Sequence, residues 1–497
     1  MQVTLGVDTF LLVGAILALA AIVVSALTTR FAQRLRVPGA LLFLVVGMLF
    51  GDDGLNLISL SNAELVQNAG VIALLFILLE GGLTTKPTDL KIAALPGLLL
   101  STLGVLITAG ITAVGVWLLL DVDIVTAGLI GAVVGSTDAA AVFSMMRTTP
   151  LPRRVSALLR VESGSNDPIA VMLTVGLLAT YDQGATATQW ASFALLQLLG
   201  GAATGAVVGY LAVLLLRRLP LGSDGLYPIA IAAVGALAYG FAVAVGASGF
   251  VAVYLTGLLV GALLPRHRRN ILGFHEALAN AAEIGLFLLL GLLVFPTQLV
   301  AVAVPALLVA ATLTFIARPA AVWLCTLKQD YEWRERTVLS AGGLKGAVPI
   351  VLATFPLTAG IDDAPLIFNV VFFVVLVSVL VQGLALLPIV QRLGLEQASP
   401  AWAPVAQALP LEGIEVDLIE ISVTADLYLA ERRLADLPTP RGAIVTAVIR
   451  NHHVLVPSGN TIIEVDDVLL ITTERRPTTP EELTAWARGE PPPHPNR

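Results

Sequence analysis

The run ESGSNDP, Glu162 to Pro168, puts two carboxylates and an amide inside a stretch otherwise suited to cross a membrane. Glu162 and Asn166 stand four residues apart and share one face of a helix, whereas Asp167 is turned well away from that pair. A carboxylate with hydroxyls and carbonyls beside it supplies the oxygen ligands that a hard cation takes. The same group can carry a proton instead, but not both at once. Competition of that kind is itself an exchange chemistry.

Further ionisable residues lie in apolar surroundings: Glu80 in LLFILLEGGL, Asp138 in GAVVGSTDAAAVF, Glu283 in NAAEIGLFLLL, Arg318 in LTFIARPAAV and Lys345 in SAGGLKGAVPIVL. Each costs about 2.5–3.5 kcal/mol at mid-bilayer on insertion scales, so several together need a compensating reason. Pairing the two bases with Glu80 and Glu162 would leave Asp138 and Asp167 without a protein cation. Glu283 stands near the start of its expected span and reads as a boundary residue. GAVVGSTDAA and AGGLKGAVP each interrupt an apolar helix with Gly, Thr or Pro beside a charge. Discontinuous helices at corresponding places in two halves point to a transporter site, because half-helix ends and unwound carbonyls can face an ion. Glycines that merely let helices pack closely are the plainer reading of the same pattern.

The elements that must position these residues follow from composition. The 497 residues are 57% hydrophobic and 13% charged, with a mean hydropathy of +0.89, which marks a polytopic α-helical membrane protein. Cutting at charged or Gly/Pro-bearing breaks gives about thirteen spans: 8–28, 37–51, 64–83, 92–120, 123–146, 157–180, 189–216, 225–245, 248–264, 276–295, 299–326, 334–355 and 363–391. The two interrupted spans are the fifth and the twelfth, an offset that fits two inverted repeats of six helices separated by one connecting helix, with the broken helices crossing. Alternate loops carry Lys and Arg, from Arg30, Arg34 and Arg36 to Arg392, while the loops between them carry none. That asymmetry puts the N-terminus outside and the C-terminus in the cytosol. The N-terminal run has no basic leader region and is too long for a signal peptide, so it reads as a retained span. A lone cysteine, Cys325, excludes a disulfide framework, and a net charge of −7 gives no nucleic-acid footprint.

Beyond Arg392 the composition changes. Residues 1–395 read as the transmembrane domain, 396–410 as a linker, 411–475 as a small cytosolic α/β domain and 476–497 as a disordered tail. In the small domain EGIEVDLIEISV alternates as a strand, LYLAERRLADL has helical spacing, and the segment from Gly442 reads as three strands with turns at Asn451–His452 and Ser458–Asn460.

GSTDAAAVF, ESGSNDP, ARP in a late span and GGLKGAVP together resemble the monovalent cation:proton antiporters of the bacterial NhaP and eukaryotic sodium/proton exchanger type. The soluble segment resembles the TrkA-C (RCK-C) domain, and the combination is similar to the potassium/proton branch. The resemblance implies a secondary antiporter, not an enzyme, that moves cytosolic K+, or Na+, against H+ by alternating access in a bacterial inner membrane, as a homodimer among membrane lipid. It implies Asp167 as carrier of ion and proton, Asn166 holding the site, and Asp138, Thr137 and Ser163 completing it. It also implies ion pairs Glu162–Arg318 and Glu80–Lys345, although the family usually has Arg where this chain has Lys345. With one carboxylate in the Asn-Asp pair, exchange of one proton for one cation moves no net charge. The resemblance implies no cofactor, and a regulatory ligand such as a nucleotide would bind at the TrkA-C-like domain. A Na+(Li+)/H+ antiporter of the same fold is the near alternative. A ligand-gated cation channel is more distant for want of a TVGYG-like filter. An intramembrane aspartyl protease is disfavoured because the chain has no GxGD and its acids come with buried bases.

Overall fold

The computed structural model describes residues 39–58, 62–146, 151–181, 186–218, 221–264, 268–395, 405–406, 416–423, 427–440, 442–450, 453–474 and 480–489. The expected span 8–28 lies outside them, as does the expected turn at Asn451–His452. From 37–51 onward every expected span is met by helix. These are α1 (Gly39–Phe50), α2 (Ala63–Thr84), α3 (Pro87–Leu99) and α4 (Val105–Leu120), α5 (Ile124–Val133) and α6 (Ala139–Met145), α7 (Arg153–Ala179), and α8 (Ala187–Leu195) with α9 (Gly201–Arg218). They continue as α10 (Leu226–Ala244), α11 (Gly249–Leu263), α12 (Arg268–Leu293), α13 (Pro296–Thr312) and α14 (Arg318–Cys325), α15 (Trp333–Ala341) and α16 (Ala347–Ala359), and α17 (Ala364–Val377) with α18 (Gly383–Arg392).

Seven of these helical stretches are long and apolar enough to cross a membrane, and α5, α11 and α16 are shorter apolar helices. Their ends are written in the sequence. Asn62 and Asp123 cap α2 and α5 by accepting backbone N–H groups, and Thr186 with Gln189 forms a reciprocal capping box at α8.

An internal repeat organises the fold. A long helix with a π turn at Leu100–Gly104 joins α3 to α4, followed by the broken pair α5/α6 and the long α7. The same order returns as α13 and α14 across a π turn at Leu313–Ala317, the broken pair α15/α16, and α17 with α18 across a π turn at Ser378–Gln382. A π turn leaves one residue out of the i→i−4 ladder and re-aims the side chains of the next helical turn. Arg318 stands immediately after such a turn.

Apolar packing falls into two main clusters in this part of the chain. The larger runs from Phe43 and Leu74 to Phe372 and Val379. The second joins α3, α6, α7, α14, α15 and α18 through residues such as Leu158, Val322, Leu339 and Leu387. Outside them, Val300, Val304 and Phe315 are about three-quarters exposed, at 77%, 72% and 76%. A face of that kind suits lipid rather than water.

The residues from Glu396 belong to a separate compact unit. Its sheet is antiparallel in the order β1-β2-β5-β3-β4, with β1 Val405–Ala406, β2 Val416–Ser422, β3 Ala443–Arg450, β4 His453–Leu455 and β5 Val468–Glu474. Two expectations are corrected here. The helical spacing of LYLAERRLADL yields turns and one 3-10 turn, Leu434–Asp436, because Glu431, Leu434 and Ala435 donate their backbone N–H groups to Ile463, Thr461 and Gly459. Within the tail 476–497 expected to be disordered, the described residues instead form α19, Pro480–Arg488, whose Leu483 and Ala487 are buried in the core of this unit.

One polar network fastens the sheet. Arg450 donates from Nε and Nη2 to the two oxygens of Asp467, each at 2.8 Å, and Glu464 N–H donates to Asp467 at 2.8 Å. Burial by itself would push the Asp467 carboxyl up, but the Arg450 guanidinium and the Glu464 N–H outweigh it and hold it below the usual carboxylate range. A depressed folded value stabilises the fold above the ordinary aspartate value of about 3.9 and loses that contribution as pH falls through the folded value. Arg450→Met is therefore expected to cost this unit about 1–3 kcal/mol at neutral pH. Urea-dependent proteolysis of the full-length protein checks this: the gap between variant and wild type is present at pH 7 and closes in strong acid.

Candidate functional site

The break in α5/α6 runs from Val134 to Asp138 and holds Gly135, Ser136 and Thr137 between the two helical ends. The break in α15/α16 runs from Gly342 to Gly346. The two cross and satisfy one another: Asp138 N–H donates to Leu344 O at 2.7 Å, and Lys345 Nζ donates to Ser136 O at 2.8 Å. A Cβ at Gly346 would stand 2.8 Å from Asp138 Cβ, so only glycine lets the strands of the crossing approach this closely. Electrostatics agree with this arrangement. The acid Asp138 meets the N-terminal ends of α6 and α16, and the amine of Lys345 meets a carbonyl just past the C-terminal end of α5.

Pro349 sits in the first turn of α16, where a missing N–H costs no helical bond. Pro168, inside α7, has the opposite effect: it cannot donate to the Gly164 carbonyl one turn earlier.

α7 brings its polar residues against this crossing. Asn166 Nδ2 donates to Thr137 Oγ1 at 2.6 Å, and Ala139 N–H donates to Ser163 Oγ at 3.0 Å. Asp138 Oδ1 accepts from Ala141 N–H at 3.3 Å. Asp167 is 8% exposed and forms no ion pair among the described residues. Its Oδ1 and the Oδ1 of Asn166 are buried without hydrogen-bond partners.

A cavity of about 480 Å³ opens on this cluster, lined by Ser136, Thr137, Asp138, Ser163, Gly164 and Asp167 from the crossing and α7. Its other walls include Glu80 and Thr84 of α2, Tyr254 of α11 and Glu283 of α12, with Lys86 and Arg160 also in the lining. Carboxylates and hydroxyls around one cavity can stand in for part of the hydration shell of a monovalent cation, and the same carboxylates can take up protons.

The remaining ionisable residues divide. Arg318 grips Glu162 with both Nη atoms, one at 2.9 Å and the other closer, and donates from Nη2 to Leu339 O at 3.3 Å. Both side chains are almost wholly buried, at 3% and 1% exposure. The fork of a guanidinium is what makes the two parallel bonds.

The Glu80–Lys345 pair is not formed. Lys345 is 1% exposed and spends its ammonium on Ser136 O, while its backbone N–H donates to Ser378 Oγ at 3.2 Å. Glu80 lines the cavity instead, on the same lining as Glu283, and its backbone carbonyl accepts from Thr84 Oγ1 at 3.0 Å.

Glu283 is the other correction. α12 begins at Arg268, eight residues before the expected start, so Glu283 falls well inside the helix and faces the cavity rather than a boundary. Its signal was present as an acid in an apolar span. Ser136, in the same motif as Thr137 and Asp138, was equally legible but unused. Tyr254 gave no signal, because an aromatic residue on an apolar helix is ordinary core.

Comparison with known proteins gives concordant results. Residues 17–392 match the profile of the family described as sodium/hydrogen exchanger, transmembrane, and residues 418–477 match the TrkA-C domain. The K(+)/H(+) antiporter NhaP2 of Shewanella sp. (strain MR-4) is 38% identical over 483 residues, covering 95% of this chain and 82% of its own. The K(+)/H(+) antiporter NhaP of Alkalimonas amylolytica is 38% identical over 460 residues, covering 90% and 79%. Among solved structures, the sodium proton antiporter MjNhaP1 from Methanocaldococcus jannaschii at pH 8 superposes with a TM-score of 0.67 over 75% of this chain and 99% of its own, at 24% identity. That likeness speaks for the fold.

Proposed function

Because the chain belongs to the sodium/hydrogen exchanger transmembrane family, we propose that it exchanges cytosolic K+ for H+ across a bacterial inner membrane, one for one and by alternating access. The observation that carries this reading is the crossing of two broken helices, which sets Asp138 and Asp167 on one buried cavity. In this reading Asp167 carries either the proton or the cation. Asp138, the Thr137 and Ser163 oxygens and Asn166 Oδ1 replace water around the ion. Asn166, tied to Thr137, contributes no charge. Lys345, buried on Ser136 O, is a fixed countercharge for the crossing, and the Glu162–Arg318 pair is structural.

K+ rather than Na+ is favoured by the potassium/proton relatives that match both parts of the chain. The N-terminus lies outside and the TrkA-C-like unit in the cytosol, as the loop charges argue. That unit binds a regulatory ligand such as a nucleotide, and the protein works as a homodimer in which a fixed scaffold supports the moving helices.

The test is dissipation of an imposed pH gradient in vesicles holding the purified protein. K+ is expected to dissipate the gradient at lower concentration than Na+ or Li+, at a rate unchanged when the membrane potential is clamped. A preference for Na+ or Li+ would transfer the assignment to a sodium/proton exchange, dependence on potential would overturn the one-for-one count, and no cation response would overturn the reading.

A further inference from the structure

Three hydroxyls stand along the polar side of the crossing, and two are already engaged. Thr137 Oγ1 accepts from Asn166, and Ser163 Oγ accepts from Ala139 N–H. Ser136 differs. It is 1% exposed, lines the cavity, and its Oγ has no hydrogen-bond partner among the described residues. Asp167 lines the same cavity, and its Oδ1 likewise has no hydrogen-bond partner among the described residues.

A buried hydroxyl offers one donor and two lone pairs, and leaving them unused costs free energy. The residue is also held in place: its carbonyl accepts from Lys345 Nζ at 2.8 Å, and the chain two residues on is fixed by Asp138 N–H on Leu344 O at 2.7 Å. An oxygen that is pre-positioned, unpartnered and beside the carrier carboxylate has the properties of a ligand held ready for an ion.

We propose that Ser136 Oγ is a ligand of the transported alkali cation and sets its affinity, lending its oxygen to the dehydrated ion when the cation occupies Asp167. The proposal rests on the exchange reading above. When Asp167 holds a proton, the same hydroxyl turns to hydrogen-bond the carboxyl group, so the site is satisfied in both states. Lys345 holds the Ser136 carbonyl and so anchors the hydroxyl from behind.

The experiment compares wild type, Ser136→Ala and Ser136→Cys in vesicles, with the cation concentration for half-maximal dissipation of the pH gradient measured for K+ and Na+ at one pH. Alanine removes the ligand, and cysteine keeps the volume but offers a soft sulfur that suits alkali cations poorly. Both are expected to raise the half-maximal K+ concentration about tenfold or more, the effect of losing roughly 1.4 kcal/mol of binding, with a smaller fall in maximal rate. They are also expected to change the ratio of the K+ to the Na+ value. A variant lost from the membrane is replaced by the other. An unchanged half-maximal concentration in either overturns the proposal, as would a fall in maximal rate alone, which would mark a packing role or a hydroxyl served by water. Asp167→Asn separates this from the wider reading: if it still exchanges cations for protons, the assignment of the exchange site fails whatever Ser136 does.

Discussion

Asp167→Asn is expected to abolish cation-driven proton movement, a loss of about 10²-fold or more, as for removal of a group that must itself take up and release a proton. The substitution is close to isosteric, so what it removes is charge and titration, not volume. Asp167 forms no ion pair among the described residues, and its Oδ1 is buried without a partner. Replacing this buried carboxylate with a neutral amide breaks no ion pair among the described residues, and Lys345 Nζ keeps its bond to Ser136 O, so the variant is expected to elute as folded protein with heat resistance close to that of wild type. Loss of exchange with stability retained, measured on one preparation by vesicle assay and thermal denaturation, is the signature of the carrier. Retained exchange would remove Asp167 from that role. Asp138→Asn is less clean a probe, because Asp138 also bonds Ala141 N–H and abuts Gly346, so its loss mixes binding with the integrity of the crossing.

What sequence could and could not place is visible in the same residues. Intramembrane acids are expensive, so their presence alone marked Asp138, Asp167, Glu162, Glu80 and Glu283, and the Gly-rich interruptions beside Asp138 and Lys345 marked the breaks that cross. Membrane spans were legible because length and apolarity are set by the bilayer and not by neighbours. The partner of Lys345 was not legible. A flexible lysine stem with three equivalent donors can be met by a carbonyl as well as by a carboxylate, and Lys345 takes Ser136 O where charge arithmetic offered Glu80. The soluble unit failed at the same level. LYLAERRLADL has helical spacing, yet its backbone is drawn to the segment around Thr461 and Ile463, and the tail becomes helix only because the sheet gives Leu483 and Ala487 a surface to cover. Tertiary contact overrode local spacing in both places.

Arg318→Met is expected to have the largest effect on stability, about 3–5 kcal/mol, because it leaves Glu162 charged, buried and alone. Both residues are nearly inaccessible, and the guanidinium also holds the Leu339 carbonyl on α15, so one side chain ties α14, α7 and α15 together. Gly343, at the α15/α16 break, packs on the same side chain: a Cβ there would come within 2.9 Å of Arg318 Cδ. Loss of the arginine should therefore loosen the crossing as well as strand a charge. Arg318→Lys keeps the charge but cannot form the fork, and is expected to fall between wild type and Arg318→Met. Glu162→Gln combined with Arg318→Met removes both charges and should recover much of the loss, leaving the Leu339 carbonyl as the residual cost. The check is the fraction of monodisperse protein surviving a temperature ramp for the two single variants and the double. Equal damage in the double and in Arg318→Met would mean that packing around the guanidinium, not its charge pairing with Glu162, holds this part of the bundle.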